Sequence, residues 1–375
     1  MTDTRLEELA LIKDEASKYY NYEQAVKLML NSIYGAFGNP YFYFFNVDIA
    51  ETITLQGKDA ILYTEVLINK YFHSYWHKDT EAHERMGIKV TGRIEKPVGI
   101  YIDTDSIYVK FDEVIKKSDW QGDEKEFVLK LYKARLADYI AKILQKYADD
   151  NNAENFLSFE LESIAKNAIW LAKKKYMQNI VWKDPDIHYD DLSKVSSKGF
   201  EIIQSSTPLF AREKLKDLIT YIFSVKELDM KAFAALLKDI KRQFKLANID
   251  QICFSRKVNN YQKYIVSDYD TFEIASKCPI GVRSAGYHNY LLNNSGLKSK
   301  YQPLGNGEKC KMYFTVDPSC DVFAYAPGDY PYEFAPTIDY DRQFEKTILD
   351  PINRVITAMG FKGFNRNLIY TTSLF

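Results

Sequence analysis

Cationic excess is what this 375-residue chain most plainly lacks: 50 Lys and Arg stand against 51 Asp and Glu. A polyanion-binding protein usually carries a basic footprint, so any contact with nucleic acid has to come from a local groove rather than from net charge. Cysteine is scarce too. Cys253, Cys278, Cys310 and Cys320 all lie in the last third and form no C-x-x-C pair, which excludes a disulfide scaffold and a cysteine-rich zinc site and reads as four reduced thiols. No run approaches the roughly 20 apolar residues of a membrane span, and the charged start, MTDTRLEELA, is no signal peptide. There is no G-x-S-x-G, no phosphate loop ending in G-K-[ST] and no persuasive Cys–His nucleophile pair. His73 and His77 stand four apart with His83 beyond, but without a third ligand at metal spacing they read as a surface face. These absences point to a cytoplasmic protein with no membrane partner.

What is present is a strongly apolar and aromatic chain, 46% hydrophobic and 15% aromatic, able to build real cores and unlike a disordered one. Its length suggests about two domains at ~150 residues each. Apolar residues at helical spacing predict a helix over 1–35, halted by Gly35, Gly38 and Pro40, and a second over 47–76. A polar loop over 77–92 follows. The segment 98–110, VGIYIDTDSIYVK, predicts a hairpin with an acidic tip. Helices are expected at 124–149 and 153–166, a buried strand at 168–182 and a polar loop at 183–198. A domain boundary is placed near Pro208, with helices at 208–224 and 226–247 and a late helix at 340–359.

Three constellations carry chemistry. Asp103 and Asp105 flank one residue of the hairpin tip, and strand alternation would set them on one face. Neighbouring carboxylates repel unless a cation compensates, and Mg²⁺ suits such oxygen ligands, with substrate phosphates completing its shell. Alone, the same four residues also fit an ordinary solvated turn. Lys27, Asn31, Tyr34 and Gly35 share one helix face. That face offers a cation for a triphosphate, an amide, a ring to pack on a base pair and a position where the backbone can be approached closely; by itself it is also an ordinary amphipathic helix with a glycine cap. Lys173, Lys174, Lys175 and Tyr176 follow the apolar run AIWLA, a set suited to a phosphate backbone and a sugar or base, or to a solvated charge run.

Taken in order, K-x-x-x-N-S-x-Y-G (Lys27–Gly35), Y-x-D-T-D-S (Tyr101–Ser106) and K-K-x-Y (Lys173–Tyr176), with Glu160 and Glu162 upstream of the last, resemble the motif series of family B DNA polymerases. Lys198-Gly199-Phe200-Glu201 and Gln204-Ser205-Ser206-Thr207-Pro208 look like the palm-to-thumb segment of the T-even-type bacteriophage members. Cys278-Pro279, Gly307–Lys311 and Pro351 resemble thumb positions, and Ser373-Leu374-Phe375 resembles the tail by which such enzymes hold a sliding clamp. The resemblance covers essentially the whole chain and is most specific before residue 210.

The resemblance implies an α+β fold forming part of a polymerase right hand: a second fingers helix, an antiparallel-sheet palm with the acidic hairpin, and a mixed helical and strand thumb. The corresponding domains are 1–46 (distal fingers), 47–207 (palm) and 208–375 (thumb and tail). It implies Asp105 and Asp103 as catalytic and metal carboxylates with Glu162 in support. Lys27, Asn31, Tyr34 and Gly35 form the nucleotide site; Lys173, Lys174, Lys175, Tyr176, Gly199, Ser205 and Thr207 contact DNA. Two Mg²⁺ ions about 3.5–4 Å apart would serve phosphoryl transfer to a primer end. The partners implied are primer–template DNA, deoxynucleoside triphosphates and a sliding clamp.

Ile102 departs from the family's usual Gly before D-T-D, which narrows the space beside the metals, and Lys175 stands where Arg is common. The family's first metal-binding motif, D-x-x-S-L-Y-P-S, is absent, and no D-x-E of a proofreading exonuclease stands before Lys27, where the family carries it. The expectation is therefore one subunit of a split polymerase, inactive until joined by an N-terminal partner carrying those motifs, and acting in the bacterial host cytoplasm if phage-encoded. The alternative is a non-catalytic DNA- or clamp-binding remnant.

Overall fold

The computed structural model describes residues 3–364. The chain forms two compact units, 1–161 and 162–375.

The first unit opens with α1 (Asp3–Phe37) and α2 (Val47–Lys70). α1 outruns its expected end by two residues, because Gly35 lies inside the helix and Gly38 ends it. None of its described side chains is buried, although Leu11, Ile12, Tyr19, Val26, Leu28 and Leu30 are among its many apolar residues. Asn46 caps α2, its Oδ1 accepting the Ile49 N–H at 3.1 Å. α2 runs on through a π-type turn (Tyr71–Tyr75) and a 3₁₀ turn (Trp76–Lys78), where Phe72 and Trp76 become fully buried. The polar stretch after it contains a helix that its charges concealed, α3 (Thr80–Met86), capped by Asp79 and closed by Gly87 at φ +70°. The hairpin β1 (Gly99–Asp103) and β2 (Ser106–Val109) follows as expected. α4 (Asp112–Lys116), α5 (Glu124–Leu131) and α6 (Ala137–Asp150) complete the unit. Phe72, Ile94, Val114, Phe127 and Leu131 lie in its interior.

The second unit begins on a sheet. Its long strands β3 (Ser163–Ala172) and β4 (Lys175–Lys183) pair antiparallel, with β5 (Ile187–His188) and β6 (Val195–Lys198) both on β4's other edge. This corrects three expectations, the first being the polar loop over 183–198, which carries β5 and β6. Residues 153–162 are irregular rather than helical, and the expected buried strand over 168–182 is two strands folded on a turn at Lys173–Lys174. β3 shows why: its ladder carries three irregularities and its central residues are only partly buried, so no clean period of two marks it.

The helices α7 (Leu209–Ser224) and α8 (Met230–Leu246) pack onto a core shared with the sheet. α9 (Ile249–Ile252), β7 (Phe254–Lys257), α10 (Tyr261–Tyr264) and the ribbon of β8 (Ile265–Asp268) and β9 (Phe272–Ile274) lead into α11 (Ile280–Ser295). β10 (Lys309–Phe314) sits between β7 and β11 (Val322–Tyr325). α12 (Tyr340–Phe344), a π-type turn and α13 (Asp350–Ala358) fill the expected late helix. Met177 and Phe200 from the sheet region share one buried cluster with Leu215, Phe244, Tyr313 and Ile352. That shared core joins the segment either side of Pro208, so the compact units divide at Leu161/Glu162, a different cut from the boundary read near Pro208.

Candidate functional site

The acidic hairpin is built on a tight register. Tyr101 pairs with Tyr108, Ile102 with Ile107 and Asp103 with Ser106, leaving Thr104 and Asp105 as the turn. Thr104 sits at φ +56°, a left-handed backbone that a β-branched residue adopts only at a cost of order 1–3 kcal/mol. The Asp105 N–H donates to the Asp103 carbonyl at 2.6 Å. Because Asp105 stands in the turn, strand alternation does not carry through to it. The expected shared face gives way to an asymmetric pair: Asp103 is buried and Asp105 exposed. Thr104 Oγ1 donates to Asp103 Oδ1 at 3.3 Å and Ser106 Oγ to Asp105 Oδ1 at 3.2 Å. Ile102 is half-buried beside them.

A buried and an exposed carboxylate at one tip suit a hard cation that keeps water and substrate oxygens in its shell, and two carboxylates make a partial ligand set. No group of three or more His, Cys, Asp or Glu with metal-binding geometry occurs among the described residues.

In the same unit, Lys27, Asn31, Tyr34 and Gly35 follow one another along the exposed surface of α1. An open hollow of about 460 Å³ is lined by Tyr22, Glu23, Val26, Lys27, Leu30 and Asn31. A Cβ at Gly35 would meet nothing within 4 Å, so a flat group can approach the backbone there.

In the second unit, the lysine tract occupies the β3–β4 turn. Lys173, Lys174 and Lys175 are exposed, with Lys174 at φ +61°. Tyr176 is buried rather than displayed: its ring centroid lies 6.2 Å from that of Trp170, and Lys198 Nζ stands 5.8 Å from its ring. Lys198 was not among the candidate site residues. Its pairing opposite Tyr176 across the β4–β6 ladder brings it there, and its place before Gly199 was the signal. Gly199, at φ +67°, lies against the Lys174 carbonyl, and its own carbonyl accepts from Gln204 Nε2 at 3.4 Å. Thr207 is buried, its N–H donating to the Gln204 carbonyl at 3.0 Å, and Ser205 is exposed. Glu162 precedes β3 with its side chain exposed.

The histidines do not converge. His73 Nδ1 lies 2.9 Å from the Ile94 carbonyl, His77 Nε2 accepts from Arg93 Nε at 3.2 Å, and His83 is buried edge-on to Trp76 at 4.7 Å. All four cysteines are free, and burial pushes the Cys253 thiol up to about 12 and those of Cys310 and Cys320 to about 11, which suits inert thiols. Ser373, Leu374 and Phe375 lie outside the described residues, and no helix among those described is long and apolar enough to cross a membrane.

Residues 6–280 match the model of DNA polymerase family B. The chain is 25% identical over 359 residues to the DNA-directed DNA polymerase of Enterobacteria phage T4, covering 89% of this chain and 36% of that protein. It is 26% identical over 361 residues to that of Escherichia phage RB69, covering 88% and 36%. With the DNA polymerase catalytic subunit of Human herpesvirus 7 it shares 27% identity over 202 residues, 53% of this chain and 17% of that one. The chain thus spans about a third of the length of the phage relatives. With the family model matching well over half of its residues, the chain belongs to DNA polymerase family B.

Proposed function

We propose that this chain is the C-terminal part of a DNA-directed DNA polymerase, with α1 as its second fingers helix, residues 47–207 as palm and 208–375 as thumb, and that it works only when joined to an N-terminal partner. The acidic hairpin carries the reading: Asp103 is buried and Asp105 presented at a strained two-residue tip. Asp103 and Asp105 would hold Mg²⁺, and the bound ions would neutralise the triphosphate during transfer to a primer end. Lys27 contacts the triphosphate, while Asn31, Tyr34 and Gly35 shape the base-pair pocket. Lys173, Lys174, Lys175, Gly199, Ser205 and Thr207 hold the primer–template backbone. Tyr176, buried under Lys198 and beside Trp170, sets the lysine turn rather than stacking on a base. The tail Ser373–Phe375 engages a sliding clamp, and the enzyme acts in the cytoplasm, that of a bacterial host if it is phage-encoded.

Support for a partner comes from surface chemistry. α1 leaves its apolar residues uncovered, and Tyr41, Tyr43 and Phe44 are 97%, 91% and 64% exposed. Apolar surface on this scale marks an interface. The partner would bring the remaining metal carboxylate and the first fingers helix.

The test is primer extension with Mg²⁺ and four deoxynucleoside triphosphates, first with this chain alone and then with the N-terminal part of a related polymerase. Synthesis in the mixture only, abolished by Asp105→Ala, is the expected result. Ile102, half-buried one residue before Asp103, favours a second reading in which the chain binds DNA or a clamp without catalysis. A stable complex that stays silent, and remains silent after Ile102→Gly, selects it.

A further inference from the structure

The acidic hairpin is held at its base by a residue from another element. Asn69, half-buried in the last turn of α2, accepts two backbone hydrogen bonds on one oxygen: the N–H groups of Val98 and Gly99 both donate to its Oδ1 at 2.9 Å. Two converging donors require the oxygen there, which leaves Nδ2 to donate to Glu65 Oε1, also at 2.9 Å, one turn back on the same helix. The Val98 carbonyl in turn accepts from the Lys110 N–H at 2.8 Å, so the side chain grips the point where the two arms of the hairpin meet. The fit is close. A Cβ on Gly99 would stand 3.0 Å from Glu65 Cγ and Oε1 and 3.2 Å from Asn69 Nδ2.

The place of this grip matters because the ladder is irregular immediately beyond it. Gly99 pairs with Val109 and Tyr101 with Tyr108, so Ile100 is an extra residue bulged out of β1. The bulge sets the parity of everything that follows, including which way Asp103 faces. A one-residue slip would turn the buried carboxylate to the opposite face and break its pairing with Ser106. Pinning Val98 and Gly99 fixes the bulge at Ile100 and with it the tip.

We propose that Asn69, held by Glu65, is a positioning residue for the Asp103–Asp105 tip. Its consequence for Mg²⁺ rests on the polymerase reading above; its hold on the hairpin does not. Outer partners that orient metal-binding groups typically change metal affinity or activity about 10–100-fold when lost.

Two measurements on the full chain test it. In the chain alone, Asn69→Ala is expected to speed amide exchange across Tyr101–Val109 about ten-fold or more while the amides of α5 and α6 keep their rates. In an active mixture with the N-terminal part, it is expected to raise the Mg²⁺ concentration for half-maximal synthesis about ten-fold or more, with the KM for primer–template unchanged. Asn69→Asp alone sets two carboxylates against each other and is expected to loosen the hairpin. The double variant Glu65→Gln/Asn69→Asp reverses the donor and acceptor between the two side chains, keeps the acceptor for both backbone groups, and is expected to restore both readouts. That pair decides the matter should Asn69→Ala fail to fold. Unchanged hairpin exchange in Asn69→Ala, faster exchange with an unaltered Mg²⁺ requirement, or failure of the double variant to recover overturns the proposal. A wild-type mixture that makes no DNA overturns the polymerase reading instead, and the exchange experiment then decides the Asn69 grip by itself.

Discussion

Gly199 and Lys174 face each other beside the β4–β6 ladder, both in the left-handed backbone region, at φ +67° and +61°, and the Lys174 carbonyl oxygen occupies the space where a Gly199 side chain would begin. The backbone atoms of one turn are thus seated directly on the Cα of another. The approach is possible because glycine has no Cβ, and it fixes the lysine turn against the strand that carries Lys198.

The contact separates two costs that usually coincide. Gly296, which closes α11, has φ +73°, and a Cβ there would meet nothing within 4 Å, so Gly296→Ala should cost only backbone strain, about 1 kcal/mol. Gly199→Ala adds a clash with backbone that cannot swing aside and should cost about 3 kcal/mol or more. Urea unfolding of the two variants measures the difference; equal losses would mean that the Gly199–Lys174 approach imposes no constraint of its own.

His288 predicts how the second unit responds to acid. Its ring is buried among Phe323 and Phe334, at centroid distances of 5.5 and 5.4 Å, with Nε2 3.2 Å from the Gln302 carbonyl. Burial lowers its pKa below the ordinary value, and the hydrogen bond to the Gln302 carbonyl offsets only part of that. The unfolded chain therefore takes up this proton first. The stability from a neutral His288 is present above the unfolded pKa of about 6.5 and is lost as pH falls toward the lower folded value. Unfolding midpoints between pH 8 and 5 should decline in the wild type, with up to about 1.4 kcal/mol per pH unit of that slope absent from His288→Gln. Identical slopes in the two proteins would contradict a buried neutral ring.

The aromatic segment after α1 makes the partner testable apart from activity. Tyr41 and Tyr43 are almost fully exposed, so replacing both with Ser should change the stability of the chain alone by no more than about 0.5 kcal/mol. If they form part of the interface, the same change should weaken association with the N-terminal part about ten-fold or more, since exposed aromatics of this kind dominate binding energy. Calorimetric titration with an N-terminal half reads the effect directly. Unaltered affinity would remove this segment from the interface.

Features governed by local chemistry were legible in the sequence, and those governed by distant contacts were not. α1, α2 and the hairpin could be read because helical spacing and an acidic break between apolar runs need no tertiary information. The strand β3 could not: Ser163–Ala172 interleaves Lys166 and Asn167 with apolar residues across three register irregularities, and its upstream Leu and Glu mimic a helix. Pro208 marks a local break in the chain, whereas the burial of Met177 and Phe200 before it in the same core as Leu215 after it depends on long-range packing that no local signal carries. The two aspartates fall at a hairpin tip as read, but their unequal burial was not legible, because alternation was extended through a residue whose φ of +56° ends the strand. Asn69 was invisible, since nothing in the sequence ties it to backbone groups about thirty residues away.

The lysine turn offers the most direct check on nucleic-acid binding, because net charge gives no help. Lys173, Lys174 and Lys175 are all exposed at one end of the β3–β4 hairpin, and in a chain whose overall charge is −1 any affinity for duplex DNA must come from such local clusters. Each phosphate neutralised releases condensed counterions, so the slope of log K against log salt counts the contacts, at about 0.9 per phosphate on B-form DNA. Lys174→Ala and Lys175→Ala should each reduce that slope by about 0.9 and weaken primer–template binding without regard to its sequence. Gly199→Ala should weaken binding as well, by displacing the turn, while leaving the lysines and their charge in place. A slope unmoved by either lysine variant would show that the tract is a solvated charge run, and the DNA contacts of this unit would have to be sought elsewhere on it.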